Sequence, residues 1–302
     1  MNDKIRLNSA CIKCMINKHL CNFAEDTQEM KKLEYMREML NLIAGAKPTD
    51  SSPVITGNIL KLQEKMFGTK MDYTPVKRKF NKMMLDEEEE ILSKICSAQD
   101  PLKMAVQYAM TGNYIDFGTM SNISGEKLHE LLGEADQIIV DEEEFSRLKE
   151  DLQQAGKLTY LTDNCGEVVL DKLLIQTIKK LYPKLEITAI VRGKDALNDA
   201  TMDDARQVGL TDVVNVIGNG TDITGTELDL ITKESRERIN EADVIISKGQ
   251  GNFETLQGCG KNIYYMFLCK CELYLKRFDA NLLQGILVHD RKCCQSNGEV
   301  DL

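Results

Sequence analysis

Histidine is scarce in this chain of 302 residues, which contains only His19, His129 and His289. None of the three lies in a recognisable nucleophile motif, so the sequence does not support a Ser-His-Asp or Cys-His catalytic site. Apolar runs long enough to cross a bilayer are also missing. The first six residues, MNDKIR, alternate in charge and no apolar segment follows them, so we expect no signal peptide.

Positive charge is in short supply. The chain has 38 Lys and Arg against 48 Asp and Glu, which gives a net charge of -10. Such a surface repels nucleic acid and anionic membranes, so we expect neither as a partner. An anionic substrate would need a locally positive pocket. Nothing in the sequence indicates the oligomeric state.

The ten cysteines are scattered along the chain, and several lie inside predicted helices and strands. A secreted protein would pair its cysteines, whereas a reducing cytosol keeps them free. We therefore expect a cytoplasmic protein.

One group of cysteines lies near the start, where Cys11 and Cys14 precede His19 and Cys21. On a helix Cys11 and Cys14 would share a face, and the four side chains could bind zinc. The spacing is not that of a common zinc module, and the βαβ context of a redox pair is absent. A structural role is favoured, while a second metal site and a redox pair stay open.

The first half of the sequence is typical of helices. A polar residue precedes both Pro75 and Pro101, an arrangement that predicts helix starts. Segment 46–58 is rich in Pro, Ser, Thr and Gly, so we predict a loop there. We assign residues 1–135 to a helical N-terminal region.

The second half contains short apolar runs that end in Gly, Asn or Asp and alternate with helical patterns. Strands alternating with helices predict right-handed crossovers and a mostly parallel sheet covered on both faces, an α/β fold. One gap, 170–181, has the spacing of an amphipathic helix. We assign residues 136–302 to this α/β domain. The predicted strands are 158–161, 187–191, 213–217, 244–246, 263–267 and 286–288.

Ligands of such sheets bind outside the carboxyl ends of the strands. The segment YLTDNCGEVVLDKL places Asp163 and Asn164 after a strand, with a turn at Gly166 and a helix starting near Glu167. A carboxylate beside a carboxamide offers two oxygen ligands to Mg²⁺ or Mn²⁺, and a helix N-terminus offers N–H groups to a phosphate. Ordinary turn and cap chemistry would explain the same residues.

Two further strand ends carry candidate residues. After the strand that ends at Arg192, Asp199 could supply a third oxygen, although a helix cap at Asn198 or Asp199 is the favoured interpretation of these residues alone. Lys248 follows a buried strand and precedes a turn that begins at Gly249. Lysine charge and glycine N–H groups suit a phosphate, and a surface lysine beside a loop is equally compatible.

Together, five motifs resemble the damage-control phosphatase family, long known as a domain of unknown function. The resemblance extends from about residue 11 to about residue 290, and CIKC at 11–14 is similar to the N-terminal CxxC of the family's mainly prokaryotic branch. The motifs are TGNYIDFG at 111–118, DNCGEVVLD at 163–171, LNDAT at 197–201, GNGTDITGT at 218–226 and SKGQGNFETL at 247–256.

The resemblance implies a helical N-terminal region packed on a three-layer α-β-α domain. It also implies a divalent cation (Mn²⁺, Mg²⁺, Co²⁺ or Ni²⁺) held by Asp163, Asn164 and Asp199, and a small phosphorylated metabolite as substrate. Lys248 would contact the phosphate. The full predicted substrate-binding set is Gly166, Asn164, Asn198, Lys248 and Gly249.

For catalysis we predict roles for Asp163, Glu167 and Lys248. Glu167 and Asp171 lie four residues apart on one helix face and could orient an attacking water. Asp163 is the one carboxylate that could attack phosphorus itself, and direct attack by water is favoured. Departures from the family pattern at Cys165 and in the loop at 194–195 bear on substrate preference.

Two alternatives belong to other classes. A protein-carboxyl methyltransferase, proposed for a related branch, would need a glycine-rich cofactor loop, and DNCGE offers one glycine. A non-catalytic metal-binding or interaction protein would depend on Cys11 and Cys14 instead of Asp199.

Overall fold

The computed structural model describes residues 6–20, 23, 27–68, 72–114, 129–130 and 132–295. Cys21 and the part of the TGNYIDFG motif at 115–118 lie outside these residues. The helices are α1 Ser9–Leu20, α2 Glu29–Ala44, α3 Ser52–Phe67, α4 Thr74–Ser97, α5 Pro101–Gly112, α6 Glu142–Gln154, α7 Glu167–Leu181, α8 Met202–Gln207, α9 Lys233–Glu241, α10 Gln250–Leu256, α11 Glu272–Phe278 and α12 Asp290–Gln295. The strands are β1 Lys157–Leu161, β2 Glu186–Val191, β3 Asn215–Gly218, β4 Val244–Lys248, β5 Ile263–Leu268 and β6 Gly285–His289.

The six strands form one sheet in the order β3-β2-β1-β4-β5-β6. The pairs from β3 to β5 are parallel, and β6 runs antiparallel to β5. The prediction of a mostly parallel α/β sheet is confirmed. The chain builds outwards from β1 in one direction and then from β4 in the other, so the topological switch point lies between β1 and β4.

Side chains that alternate along the strands fill two apolar cores, one on each face of the sheet. Tyr160 of β1 and Ile246 of β4 belong to the core that also contains α5 and α7. Their neighbours Leu161 and Ile245 belong to the opposite core, which contains Phe253 of α10. The sheet is therefore the middle layer of three, as the resemblance implied.

Helices of the N-terminal half divide between two cores. Residues of α4 and α5, from Phe80 to Met110, pack in the main core with the sheet, whereas α1 to α3 form a smaller core around Tyr35 and Met39. This smaller unit is tied to the loop after β3, because Arg6 and Ser51 both donate to Glu227, at 3.1 and 3.2 Å. The domain boundary at residue 135 stays a prediction.

Two local predictions are wrong. Segment 46–58 is not all loop, because α3 begins at Ser52. Pro53 lies in the first turn of this helix, where a backbone N–H has no partner within the helix and is not needed. The proline therefore favours a helix, although the composition of segment 46–58 had indicated a loop. The third strand was predicted to begin at residue 213, but it begins at Asn215. A 3₁₀ turn at residues 210–212 precedes it.

Helix α7 is more deeply buried than its amphipathic pattern predicts. Every residue from Glu167 to Ile175 is buried, since α4 and α5 cover the side of α7 that faces away from the sheet. Burial on all sides brings the polar residues Glu167 and Asp171 inside the molecule.

Within the described residues, none of the helices combines the length and apolar character needed to cross a bilayer. The cytoplasmic location expected from the cysteines stays a prediction.

A glycine on α10 lets this helix approach the loop after β3. A Cβ at Gly251 would lie 1.8 Å from the carbonyl oxygen of Thr224. We expect Gly251→Ala to lower the free energy of unfolding by about 2 kcal/mol or more, because the backbone must move to remove the overlap. Urea denaturation would measure the loss.

Gly133→Ala is the matched control, since no atom of the described residues lies within 4 Å of a Cβ at that position. Equal urea midpoints for the two variants would show that the close approach of α10 is not a packing constraint.

Candidate active site at the carboxyl edge of the sheet

The candidate site lies at the switch point, where β1 leads into Asp163 and Asn164 and β4 ends at Lys248. Gly249 makes this approach of the two strand ends feasible. Its φ is +79°, and a Cβ there would lie 2.0 Å from Asp163 Oδ2. Only glycine fits a position with both constraints.

The loop after β2 folds back onto the end of β1 and brings the predicted cation ligands together. Asn164 and Asp199 form an isolated antiparallel bridge. The Ala200 N–H donates to Asp163 O at 2.7 Å, and the Cys165 N–H donates to Asn198 O at 2.8 Å. Asp163, Asn164 and Asp199 are therefore neighbours at one edge of the sheet, although 36 positions separate the first from the last.

Side-chain hydrogen bonds fix the orientation of Asn164. Its Nδ2 donates to Asp163 Oδ2 at 2.7 Å and to Glu167 Oε2 at 3.0 Å. Its Oδ1 accepts from Asn198 Nδ2 at 2.9 Å. An amide oxygen has a second lone pair, which leaves Asn164 Oδ1 able to bind a cation.

Asn113, at the end of α5, joins the helical half to the site. Its Nδ2 donates to Asp163 Oδ2 at 3.0 Å and to Glu167 Oε2 at 3.1 Å, and its Oδ1 accepts from the Leu268 N–H at 3.3 Å. Asn113 is 1% exposed. No role was predicted for Asn113 from the sequence, although it lies in a motif that carried the resemblance.

Lys248 is completely buried, with its ammonium group between two carboxylates. Nζ donates to Glu167 Oε1 at 2.6 Å, to Asp171 Oδ1 at 2.7 Å and to Ala109 O at 2.7 Å. These partners use all three of its donors. The predicted contact between Lys248 and a phosphate stays a prediction, and it would require one of these bonds to break.

The predicted backbone donors are also engaged. The Gly166 N–H donates to Asn81 Oδ1 at 2.6 Å, and the Gly249 N–H donates to Met266 O at 3.0 Å. Their predicted substrate contacts, like that of Asn198, stay predictions. Cationic side chains are therefore the better source of attraction for an anion.

Two cations for which the sequence predicted no specific role act on Asp163 electrostatically. Arg192 is 2% exposed, and its Nε donates to Asp199 Oδ2 at 2.5 Å. Lys270, just after β5, is partly buried, and its charge lowers the pKa of Asp163. Both follow strand ends, and that position was the signal that could have identified them.

Negative charge outweighs positive charge around Asp163. Burial, and next the charges of Asp199 and Glu167, hold the pKa of the Asp163 carboxyl well above its usual range, although Arg192 and Lys270 oppose this shift. A carboxyl group in such surroundings binds a proton or a metal cation to reduce the repulsion. The electrostatics at Asp163 therefore favour a cation.

The donor set suits a hard divalent cation. Two carboxylates and a carboxamide supply oxygen only, and Mg²⁺ commonly takes one or two carboxylates and completes its shell with water or substrate phosphate. Among the described residues, no group of three or more His, Cys, Asp or Glu side chains is placed to hold a metal. That search covers α1, where Cys11 is partly buried and Cys14 is exposed. Their predicted metal or redox role stays a prediction.

Removal of the buried ammonium group would test how far the site depends on it. We expect Lys248→Met to lower the free energy of unfolding by about 3–5 kcal/mol, because Glu167 and Asp171 would remain buried without a counter-charge. Urea denaturation gives the value.

Lys157→Met removes an exposed ion pair with Glu241, whose N–O distance is 2.8 Å, and should leave the stability close to that of the wild type because solvent screens the pair. If the two lysine variants lost equal stability, the buried charges would not be what holds this region together.

Another carboxyl group, that of Glu254 on α10, provides a pH test. Burial raises its pKa from 4.5 to about 7, and a hydrogen bond with Tyr274 opposes the shift. The folded protein binds this proton more tightly than the unfolded chain, so stability falls as the pH rises from about 4.5 through 7. Glu254→Gln should remove that loss and be more stable than the wild type above pH 7, with the difference shrinking towards pH 5.

Urea midpoints between pH 5 and pH 8 would measure this difference, with the exposed Glu89→Gln as control. A difference between Glu254→Gln and the wild type that stayed constant with pH would contradict the raised pKa.

Comparisons with known proteins agree with the fold and the motifs. The family model of the damage-control phosphatase ARMT1-like domain matches residues 7–283. An uncharacterised protein of Methanocaldococcus jannaschii is 30% identical over 95% of this chain and 96% of its own length. A damage-control phosphatase of Pyrococcus horikoshii is 31% identical over 88% of this chain and 92% of its own length.

A crystal structure of a DUF89 family protein from Pyrococcus horikoshii superposes with a TM-score of 0.79 at 28% identity, covering 94% of this chain and 99% of that one. These comparisons do not test the branch suggested by the CxxC at 11–14. The match over most of the chain is decisive for the family, and the chain belongs to the damage-control phosphatase ARMT1-like family.

Proposed function

We propose that this protein is a divalent-cation-dependent phosphatase that hydrolyses small phosphorylated metabolites, including damaged ones. The observation that carries the proposal is the meeting of Asp163, Asn164 and Asp199 at the switch point of the sheet, in surroundings that raise the pKa of Asp163. Relatives named damage-control phosphatases support the same activity.

Asp163, Asn164 and Asp199 would hold the cation, which could be Mg²⁺, Mn²⁺, Co²⁺ or Ni²⁺. When bound, the cation would polarise the phosphoryl group and neutralise part of its charge. The carboxylate that reaches solvent is Asp163, whose side chain is 12% exposed against 4% for Asp199. Substrate and water would therefore approach from the Asp163 side.

Glu167 acts in this proposal by positioning its neighbours. Its oxygens accept from Lys248 Nζ, Asn113 Nδ2, Asn164 Nδ2 and the Asn164 N–H. Four donors hold the carboxylate in place, and its side chain is 0% exposed. Glu167 thus orients Asn164 and Asn113 towards Asp163.

Lys248 serves the site indirectly. Its charge balances Glu167 and Asp171, and Asp171 Oδ1 also accepts from Tyr160 OH at 2.7 Å. The positive charge that attracts the phosphate would come from Lys270, which interacts electrostatically with Asp163, and from Arg192. These two cations supply positive charge for an anionic substrate, and the bound metal cation would offset the charge of the neighbouring carboxylates.

Hydrolysis of p-nitrophenyl phosphate by chelator-treated protein would test the proposal, with Mg²⁺, Mn²⁺, Co²⁺ and Ni²⁺ added back singly. We expect at least one cation to restore activity. Asp199→Asn should lower kcat/KM by about 100-fold or more, because one anionic oxygen ligand is lost.

Asp203→Asn is the matched control, since Asp203 lies four residues further on with a side chain that is 93% exposed. Full activity after chelation, or an Asp199→Asn variant as active as the Asp203→Asn variant, would contradict a role for this cation site.

A further inference from the structure

Two of the three guanidinium nitrogens of Arg192 are hydrogen-bonded, and the third has no acceptor among the described residues. Nε donates to Asp199 Oδ2 at 2.5 Å, and Nη1 donates to Asn252 Oδ1 at 3.0 Å and to Thr226 Oγ1 at 3.3 Å. Nη2 is buried and finds no hydrogen-bond acceptor within the part of the chain that the structure describes. A buried donor without a partner is energetically costly, so such atoms mark places where a partner is missing.

The carboxylate of Asp163 does not supply the missing acceptor for Arg192 Nη2. Asp163 Oδ1 lies 3.7 Å from Arg192 Nη2, beyond hydrogen-bond distance. Asp163 Oδ2 is held by Asn113 and Asn164, at 3.0 and 2.7 Å, and lies against Gly249. Rotation of the carboxylate towards Arg192 would break these bonds.

Arg192 is equally constrained from its own side. Its hydrogen bonds reach the loop after β2, the loop after β3 and helix α10, so the guanidinium plane is fixed by three segments of the chain. Asn252 is itself anchored, because its Nδ2 donates to Thr162 O at 3.1 Å and to Lys248 O at 2.8 Å. The 3.7 Å separation between Arg192 Nη2 and Asp163 Oδ1 is therefore fixed by the hydrogen bonds of the surrounding residues.

We infer that Arg192 Nη2 donates to a non-bridging oxygen of the substrate's phosphoryl group. This inference rests on the proposed function, and it makes Arg192 a substrate-binding residue beside the cation ligands. A guanidinium group stays charged at every working pH and presents planar donors that match a tetrahedral oxyanion. The same side chain would hold Asp199 through Nε and the phosphoryl oxygen through Nη2.

Calorimetry with inorganic phosphate as the probe tests this role separately from turnover. Mg²⁺-loaded wild-type protein, Arg192→Lys and the control Arg206→Lys would each be titrated with phosphate, and Mg²⁺ affinity would be measured without phosphate. Arg206 is a suitable control because its side chain is 63% exposed and bonds to Asp203 on the surface. Circular dichroism would confirm that each variant is folded.

We expect Arg192→Lys to raise the phosphate Kd about tenfold or more, because an ammonium group cannot reach both Asp199 and the phosphoryl oxygen. Its Mg²⁺ Kd should change by less than about threefold, and Arg206→Lys should match the wild type. An unchanged phosphate Kd in Arg192→Lys would overturn the inference. A parallel loss of Mg²⁺ and phosphate affinity would also overturn it, since Arg192 would then only support Asp199.

Failure of the proposed function gives a different result, because the wild type would then bind none of Mg²⁺, Mn²⁺, Co²⁺ and Ni²⁺ and the inference would fall with it. If Arg192→Lys does not fold, a crystal structure of the wild type with Mg²⁺ and phosphate decides the matter. A phosphate oxygen about 2.7–2.9 Å from Arg192 Nη2 would support the contact, and a phosphate bound without it would refute the contact.

Discussion

The buried ion cluster of Lys248 with Glu167 and Asp171 is the interaction on which the site depends. All three side chains are 0% exposed, and they join β4 to α7 behind the cation ligands. Two carboxylates inside a protein repel each other and lose hydration, so they require a counter-charge with good geometry. The orientation of Asn164 follows from Glu167, and the position of Glu167 follows from Lys248.

Much of the fold could be predicted because the strands are short buried runs bounded by turn residues. Their order could not, since no pattern in a single sequence states which parallel strands are neighbours. The prediction of a loop at 46–58 was wrong in part because serine and proline are common both in loops and in the first turn of a helix. The burial of α7 depends on α4 and α5, which are distant in sequence.

Some residues of the candidate site could likewise be predicted from the sequence, and others could not. The proximity of Asp163, Asn164 and Asp199 was implied by the family resemblance and agrees with their places after strands of a parallel sheet. From the residues alone a helix cap was favoured at Asp199, and the role of the three as cation ligands stays a prediction. Arg192 and Asn113 were missed because their significance lies in hydrogen bonds to residues that only the folded chain brings near. Lys248 follows a strand as well, yet its side chain turns inwards, and sequence position alone does not distinguish the two directions.

The partners of Lys248 also bear on the order in which the chain can mature. Lys248 lies 139 residues beyond Ala109 and 81 beyond Glu167. During synthesis, α5 and α7 leave the ribosome well before β4, and until then the two carboxylates have no ammonium group to balance them. The ion cluster behind the cation ligands can therefore form only after β4 has been made, which links α5 and α7 to the sheet late in synthesis.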